Sequence, residues 1–403
     1  MYDVLVVGGG PAGLYAAFCA ARAGRSVALF EEHPEIGVPF HCTGLMAAEA
    51  FARFSLPEEA ILSWHRATRF HSPAGNELAY TLRFPETVVV DRPRFDQGLA
   101  TQAARAGVRL FLGTHVVRVS RDREGITLQA WGDRVVRGQL LILATGAGYH
   151  LHRELNLGIP GRFVQTAQVE VEFADTPEVE VYFGSSVAPG SFAWVVPIGR
   201  KGKARARIGV MASKDAEGYL QRFLRSTPVA SRSGLRTLSR FRRRPIPLAP
   251  LGRTFGTRVL VVGDAAGLTK PTTGGGIYYS LLSGELAASV AQRALKAREY
   301  SEEFLSQYQR AWEAELRREL RWGSFFRRYA ERLTDAQIDK AFQLAAEDPL
   351  DRLIRERATF NWHAELIRAL LRDREVRGFV LRTMLKRGLQ LVGGRDAAAG
   401  LPS

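Results

Sequence analysis

Segments 3–7 and 26–30 are continuously apolar after a polar first residue, Asp3 and Ser26, and are separated by a glycine-rich turn at 8–13 and an alanine-rich stretch at 14–23 that stops at Gly24. Short continuous apolar runs predict parallel strands covered on both faces, and 14–23 predicts a helix, so this stretch reads as one βαβ unit. Val88 to Val90 then leads into Asp91-Arg92-Pro93-Arg94-Phe95-Asp96, and 96–106 predicts a helix closed by Gly107. Strands predicted at 108–112, 115–120, 126–131 and 135–137 form a meander with its tip at Arg123-Glu124-Gly125, and 140–143 is a further buried strand. From 151 to 255 the pattern changes. Residues 163–172 and 178–183 alternate apolar with polar, and 192–197 and 205–211 add further strands, so this region predicts an antiparallel sheet. A parallel-type apolar run returns only at 258–262, and from about 277 onward the pattern is helical, with 393–403 predicted to be a frayed tail.

Composition narrows the class. The 403 residues are 46% apolar, ample for more than one core. No run approaches the roughly 18 apolar residues of a membrane span, and no basic then apolar leader opens the chain, so the expected location is cytoplasmic. Two cysteines, Cys19 and Cys42, make neither a disulfide framework nor, alone, a zinc site. Of the net charge of +15, residues 200–260 carry +14, from 16 basic and 2 acidic side chains. That segment is either a solvated basic face or a docking face for something anionic, such as the inner face of a membrane, a prenyl diphosphate or an acidic electron carrier. Nucleic acid is not expected, since no recognition motif accompanies the charge.

The chemistry begins at Gly8-Gly9-Gly10-Pro11-Ala12-Gly13, which fits G-x-G-x-x-G between a strand and a helix. Gly8 permits a tight turn, Gly10 lets backbone approach a pyrophosphate, and Gly13 allows close helix–strand packing. Pro11 and Ala12 lie in that turn, just ahead of a helix whose N-terminus offers its positive dipole end. Glu31, at the end of the next strand, is placed to accept hydrogen bonds from a ribose diol. The far end of the same sheet separates NAD from FAD. There a strand ends in Gly263-Asp264-Ala265-Ala266-Gly267, followed by Pro271 and by Gly274-Gly275-Gly276-Ile277 opening a helix. A carboxylate at 264 can hold ribityl hydroxyls, and the three glycines bring amides to the pyrophosphate and ring system. The expected cofactor is therefore FAD. No second G-x-G-x-x-G follows a strand, so the reductant is expected to be a transient NAD(P)H or a ferredoxin-like carrier.

The predicted architecture is α/β. A discontinuous Rossmann-type FAD-binding domain comprises 1–50, 86–150 and 256–290, and an antiparallel-sheet substrate domain, inserted into it, comprises 51–85 and 151–255. A C-terminal helical region spans 291–403.

Three further segments make a resemblance specific: Pro39-Phe40-His41-Cys42-Thr43-Gly44, Asp91-Arg92 with Phe95-Asp96, and Pro189-x-x-Phe192-x-Trp194-x-Val196-Pro197. With the Gly-Asp strand, they span roughly 4–290. The chain resembles the geranylgeranyl reductase family of flavoproteins, within the p-hydroxybenzoate-hydroxylase-like fold. It departs from the family pattern where Phe192 replaces a tyrosine and Val196 a phenylalanine, which removes a hydroxyl from that strand. The resemblance implies reduction of C=C bonds in a polyprenyl or other isoprenoid lipid. It places Cys42 near the flavin, as a positioning or proton-relay group, and Arg92 beside the cofactor. Gly44 and Gly146, of the Ala144-Thr145-Gly146 turn, are carried over as cofactor-binding. From the residues alone, Cys42 reads equally as a small buried hydrophobe, and Arg92 as a salt bridge with Asp91 or Asp96. Aromatic faces at Phe192 and Trp194 would steady positive charge building on a tertiary carbon by about 0.5–2 kcal/mol each.

The alternatives are an aromatic monooxygenase or halogenase on the same fold, an electron-transfer flavoprotein serving a quinone, and a non-catalytic FAD protein. Ala144-Thr145-Gly146 lacks the hydroxylases' Asp-Gly, Phe192-x-Trp194 lacks the halogenases' first tryptophan, and two distant cysteines cannot ligate an iron–sulfur cluster.

Overall fold

The computed structural model describes residues 1–132, 134–173, 178–199, 205–226, 228–232 and 239–386. The expected frayed tail and, within the basic segment, 200–204, 227 and 233–238 lie outside the described residues. The chain divides into two compact units: Met1–Ile61, Val90–Phe163 and Ile246–Arg317 form the first, and Leu62–Val89, Val164–Pro245 and Arg318–Ser403 the second.

At the centre of the first unit, the strand Tyr2–Val7 pairs in parallel with Val27–Phe30 on one side and with Arg134–Leu143 on the other. Arg109–Phe111 extends the sheet beyond Val27–Phe30, and Val259–Val261 extends it beyond Arg134–Leu143, both in parallel. Val4, Leu5 and Val6 are fully buried, as their unbroken apolar run requires.

Two expectations are corrected here. The runs at 135–137 and 140–143 are one strand, which pairs antiparallel with Ile126–Ala130 in its first half and in parallel with Tyr2–Val7 in its second. Gly138 sits at the change-over, opposite both Ile126 and Tyr2, where a Cβ would come 2.6 Å from Leu5 Cγ. The run at 108–112 leaves the meander and joins the parallel sheet instead.

Helix starts also lie earlier than periodicity alone places them. Pro11–Arg22 and Arg92–Arg105 each begin with proline in the first turn, where a missing N–H goes unneeded, and Asp91 caps the second by accepting from Arg94 N at 3.3 Å. Pro11–Arg22 packs on both Arg92–Arg105 and Ile277–Ala297. The second contact is close because Gly284 has no side chain, and a Cβ there would lie 2.6 Å from Ala12 O.

The second sheet has seven strands in the order Arg242–Pro247, Phe163–Glu172, Arg205–Ala212, Phe192–Pro197, Val179–Tyr182, Ala67–His71, Glu77–Thr81. From Phe163–Glu172 to Glu77–Thr81 the pairings are antiparallel except that Val179–Tyr182 lies parallel to Ala67–His71. The pairings given within 151–255 are antiparallel, as the pattern predicts, and helices Ala216–Ser226 and Pro228–Arg232, which it does not predict, follow Arg205–Ala212. Leu220, Phe223, Leu224 and Val229 of these helices cover Ala167, Val169, Ala193, Val195, Ile208 and Val210 on one sheet face. Each large apolar side chain, once covered, contributes about 1.5–3 kcal/mol.

Beyond 277 the described residues are helical, as the pattern predicts, in Ile277–Ala297, Glu302–Ala330, Asp335–Ala345, Asp348–Arg357, Ala364–Leu370 and Arg374–Lys386. Among the described residues no helix is long and apolar enough to cross a membrane.

Candidate functional site

The glycines of the first turn separate into those that must be bare for the fold and one that must be bare for something else. Gly8 has φ +110°, and a Cβ on it would sit 2.2 Å from Ala144 O. On Gly13 it would sit 2.0 Å from Gly8 O. On Gly10 it would meet nothing within 4 Å, so no packing constraint demands glycine there. A turn closed on two sides and open at its middle residue, at the start of helix Pro11–Arg22, is a cradle that a side chain would fill, and it fits an approaching pyrophosphate.

Glu31 stands beside it. Its Oε2 accepts from Gly9 N at 2.7 Å, and its Oε1 accepts from His33 N at 3.0 Å and lies 2.5 Å from His33 Nδ1. Both oxygens are thus oriented by the loop. His33 is not legible as part of the motif, because its position relative to Glu31 depends on the loop's conformation.

The late glycine motif arrives at the same place. A Cβ on Gly263 (φ +62°) would lie 2.8 Å from Ala12 Cβ and 3.0 Å from Ser280 Oγ, so the absence of a side chain at 263 lets the two fingerprints pack together. Asp264, half-buried, lies in the turn Gly263–Ala266, with Oδ1 2.9 Å from where a Gly276 Cβ would be. Gly276 precedes helix Ile277–Ala297 without a side-chain cap, leaving that helix's first amides unclaimed by any cap. Each of these two glycine turns opens a helix, and a helix N-terminus favours an anion.

Several residues that support this turn carry no mark in the sequence. Tyr149 OH donates to Asp264 O at 3.2 Å, and His152 Nε2 lies 2.9 Å from Ala265 O. Burial holds His152 below the ordinary imidazole range. Lys270 is 4% exposed, its Cε 2.9 Å from a Cβ on Gly275. None of these has a spacing that marks it; only the fold brings 149 and 152 to 264 and 265.

Cys42, Gly44 and Arg92 also come together. Gly44, at φ +79°, donates its N–H to Cys42 Sγ at 3.3 Å. Of the two partners the sequence leaves open for Arg92, the structure shows Asp96: Nη2 to Oδ2 is 2.8 Å, with the carboxylate buried and the arginine half-buried. Asp91 is instead the helix cap. Burial works against the Arg92 charge, but Asp96 and the Cys42 side chain outweigh it, so the guanidinium is held above its ordinary range. Gly146, at φ +60°, follows the central strand Arg134–Leu143. Cys19 is half-buried in Pro11–Arg22, its thiol pushed up to about 12 by burial and then by Glu285, so it is no nucleophile at neutral pH.

In the second unit, Phe192 and Trp194 occupy alternate positions of Phe192–Pro197, facing away from the core that Ala193 and Val195 enter. Their rings are 6.0 Å apart. Trp194 pairs across to Gly209 and to Val181, and the indole lies over Gly209 so closely that a Cβ there would be 2.1 Å from Cζ2. Val181 in turn pairs with Phe70. Phe183 lies 6.3 Å from Phe192, 6.4 Å from Phe70 and 5.9 Å from Phe342. The result is a continuous aromatic face. Helix Asp335–Ala345, which carries Phe342, is held to this unit by Asp335 accepting from Ser185 N and Oγ, and by Asp339 accepting from Ser72 Oγ and Ala74 N. Phe192 and Trp194 are legible in the sequence, whereas Phe70, Phe183, Gly209 and Phe342 are not, because only strand pairing and helix docking bring them together.

Comparison with known proteins gives the family and the fold. The family described as FAD dependent oxidoreductase matches residues 3–153. The digeranylgeranylglycerophospholipid reductase of Methanocaldococcus jannaschii is 32% identical over 86% of this chain and 91% of its own length. One of two such reductases of Methanopyrus kandleri is 32% identical over 78% of this chain and 87% of its own length. Among solved structures, a geranylgeranyl bacteriochlorophyll reductase-like protein of Thermoplasma acidophilum superposes with TM-score 0.82 at 23% identity, covering 96% of this chain and 98% of that one. A flavin-dependent brominase superposes with TM-score 0.69 at 18% identity, covering 96% and 99%. At these identities the structural matches establish the mixed α/β fold.

Proposed function

The chain belongs to the digeranylgeranylglycerophospholipid reductase family of FAD-dependent oxidoreductases, and we propose that it saturates carbon–carbon double bonds in the polyprenyl chain of an isoprenoid lipid. The observation that carries the reading is the aromatic face on Phe192–Pro197, with Trp194 laid flat over Gly209, a surface suited to a long unsaturated hydrocarbon. The monooxygenase and halogenase reading has only the shared fold behind it.

FAD would be held by Gly8, Gly10, Pro11, Ala12 and Gly13 together with Gly274, Gly275, Gly276 and Ile277 at its pyrophosphate, by Glu31 at its ribose and by Asp264 at its ribityl hydroxyls. Gly44, Gly146 and Arg92 complete that set. We assign 1–50, 86–150 and 256–290 to the flavin-holding part, 51–85 and 151–255 to the lipid-binding part, and 291–403 to a C-terminal region that is helical in its described residues. When bound and reduced, FAD supplies the hydride. The chain's own contribution is to bind the alkene in a dry aromatic surface, to steady developing positive charge with the faces of Trp194 and Phe192, and to relay the proton through Cys42 Sγ. Arg92, held by Asp96, lies beside that sulfur. Phe192 carries no hydroxyl, so it shapes the wall and moves no proton. Electrons come from NAD(P)H or a ferredoxin-like carrier, and the basic segment 200–260 meets an anionic membrane surface.

The test is anaerobic stopped-flow oxidation of the reduced protein. A geranylgeranyl lipid should restore the oxidised flavin spectrum without oxygen, with product heavier by about 2 mass units per bond reduced. Reoxidation that needs oxygen and an aromatic compound would reject the reading.

A further inference from the structure

Between the C-terminal helices of the second unit lies a cavity of about 280 Å³. Arg318 from Glu302–Ala330, Leu353 and Arg357 from Asp348–Arg357, Glu365 and Arg368 from Ala364–Leu370, and Arg372 in the turn that follows line it. Four arginines and one glutamate thus border it, Arg368 half-buried and the other three arginines exposed. Glu365 is paired with Arg357, and among the described residues Arg318, Arg368 and Arg372 make no ion pair. Three like charges around one hollow repel one another until an anion enters it.

The hollow has a fixed frame. Glu319 Oε2, next to Arg318, accepts from the amides of His363 and Ala364 at 2.8 and 2.9 Å, which anchors the start of Ala364–Leu370 on the long helix. Trp322 and Phe325 pack against Ala364 and Ile367 beneath it. Arg368 and Arg372 are one helical turn apart and on the same side as Glu365. The arginines are thus carried by packed helices and border one volume.

We propose that this cavity binds the phosphate group of a phosphate ester. Arginine forks match phosphate oxygens two at a time, and a dianionic head answers three uncompensated charges better than a single carboxylate does. A water molecule's share of volume is about 30 Å³. The cavity therefore has room for a phosphate and the beginning of its ester arm, which Leu353 and the arginine stems would flank with apolar surface. No aromatic ring lines it to stack a base. The inference does not rest on the reductase reading, because its test reads binding and not turnover.

Calorimetric titration of the full chain with inorganic phosphate and with glycerol phosphate would be run beside co-sedimentation with phosphatidylcholine vesicles, with and without phosphatidic acid. The variants are R368Q/R372Q, R368K/R372K and, on a different helix, R318Q. Binding should fall about tenfold or more in the glutamine pair and in the same direction in R318Q, with the lysine pair between, since charge survives but the fork is lost. Flavin content and Tm should not move. Retention of the soluble ester without preference for phosphatidic acid assigns the site to a soluble phosphate. Vesicle recruitment lost in the same variants assigns it to a lipid headgroup. Failure of the unaltered chain to bind either probe, or equal binding by the variants, overturns the proposal.

Discussion

The glycine turns of the first unit and the aromatic face of the second solve opposite problems. In the first, the site is made by leaving atoms out: Gly8, Gly13 and Gly263 are bare because backbone or a neighbouring helix stands within 3 Å of where a Cβ would go. In the second, it is made by adding bulk, with Phe70, Phe183, Phe192, Trp194 and Phe342 spread over a sheet face, and a single omission, Gly209, that lets the indole lie flat. Backbone recognition of a nucleotide tolerates little change, whereas a hydrocarbon surface is redundant. The first unit should therefore respond to substitution by losing its cofactor, and the second by losing catalytic efficiency while remaining yellow.

The largest effect is expected at Gly8. Gly8→Ala puts a Cβ on a residue at φ +110° and 2.2 Å from Ala144 O, so the turn must open. Stability should drop by roughly 3 kcal/mol or more, and purified protein should be colourless by absorbance. Gly10→Ala makes the sharper contrast. Since its Cβ meets nothing within 4 Å, the flavin-free Tm should stay where it was while flavin content falls severely. If Gly10→Ala retained full flavin, the open middle of the turn would not be the pyrophosphate's place.

The same division governs how much of each site is legible in the sequence. A backbone cradle needs glycines at fixed spacing along one stretch of chain, so Gly8 to Gly13 and Gly263 to Ile277 announce themselves. The aromatic face is assembled from four separate segments, and nothing in the sequence around 209 relates that glycine to position 194. Register does, and register is set by pairing across strands. Likewise Tyr149 and His152 reach Asp264 and Ala265 only through the fold. Helix Ala216–Ser226 is hidden for a different reason. Ala216, Leu220, Phe223 and Leu224 carry helical spacing, but they sit among strongly alternating strands and a dense run of arginines that masks the period.

A smaller effect is expected at Gly209. Gly209→Ala would push its methyl into the indole, so Trp194 must tilt off the sheet, at about 1–3 kcal/mol for a crowded site. Flavin content should be unchanged, while kcat/KM for a polyprenyl substrate falls and Trp194 fluorescence shifts. Loss of flavin in this variant would break the comparison, because it would tie the aromatic face to cofactor retention.

The smallest effect separates the units by pH. His152 in the first, and His65 and His71 in the second, are all held below the ordinary value of 6.5, in each case chiefly by burial. An imidazole whose folded pKa is depressed is neutral in the native state when its unfolded counterpart already binds a proton. The unfolded chain therefore takes up protons first as pH falls, and the sign is destabilising. Stability is complete above the ordinary value of 6.5 and declines as pH drops below it toward the folded value. His152→Gln keeps a donor for Ala265 O and removes the titration, so it should flatten the acid limb of Tm against pH for the first unit. His65→Gln should do so for the second, which holds Trp64, Trp194, Trp322 and Trp362 while the first holds Trp131 and Trp312. An acid limb unchanged by His152→Gln would mean that the turn carrying Asp264 is insensitive to the protonation of its buried neighbour.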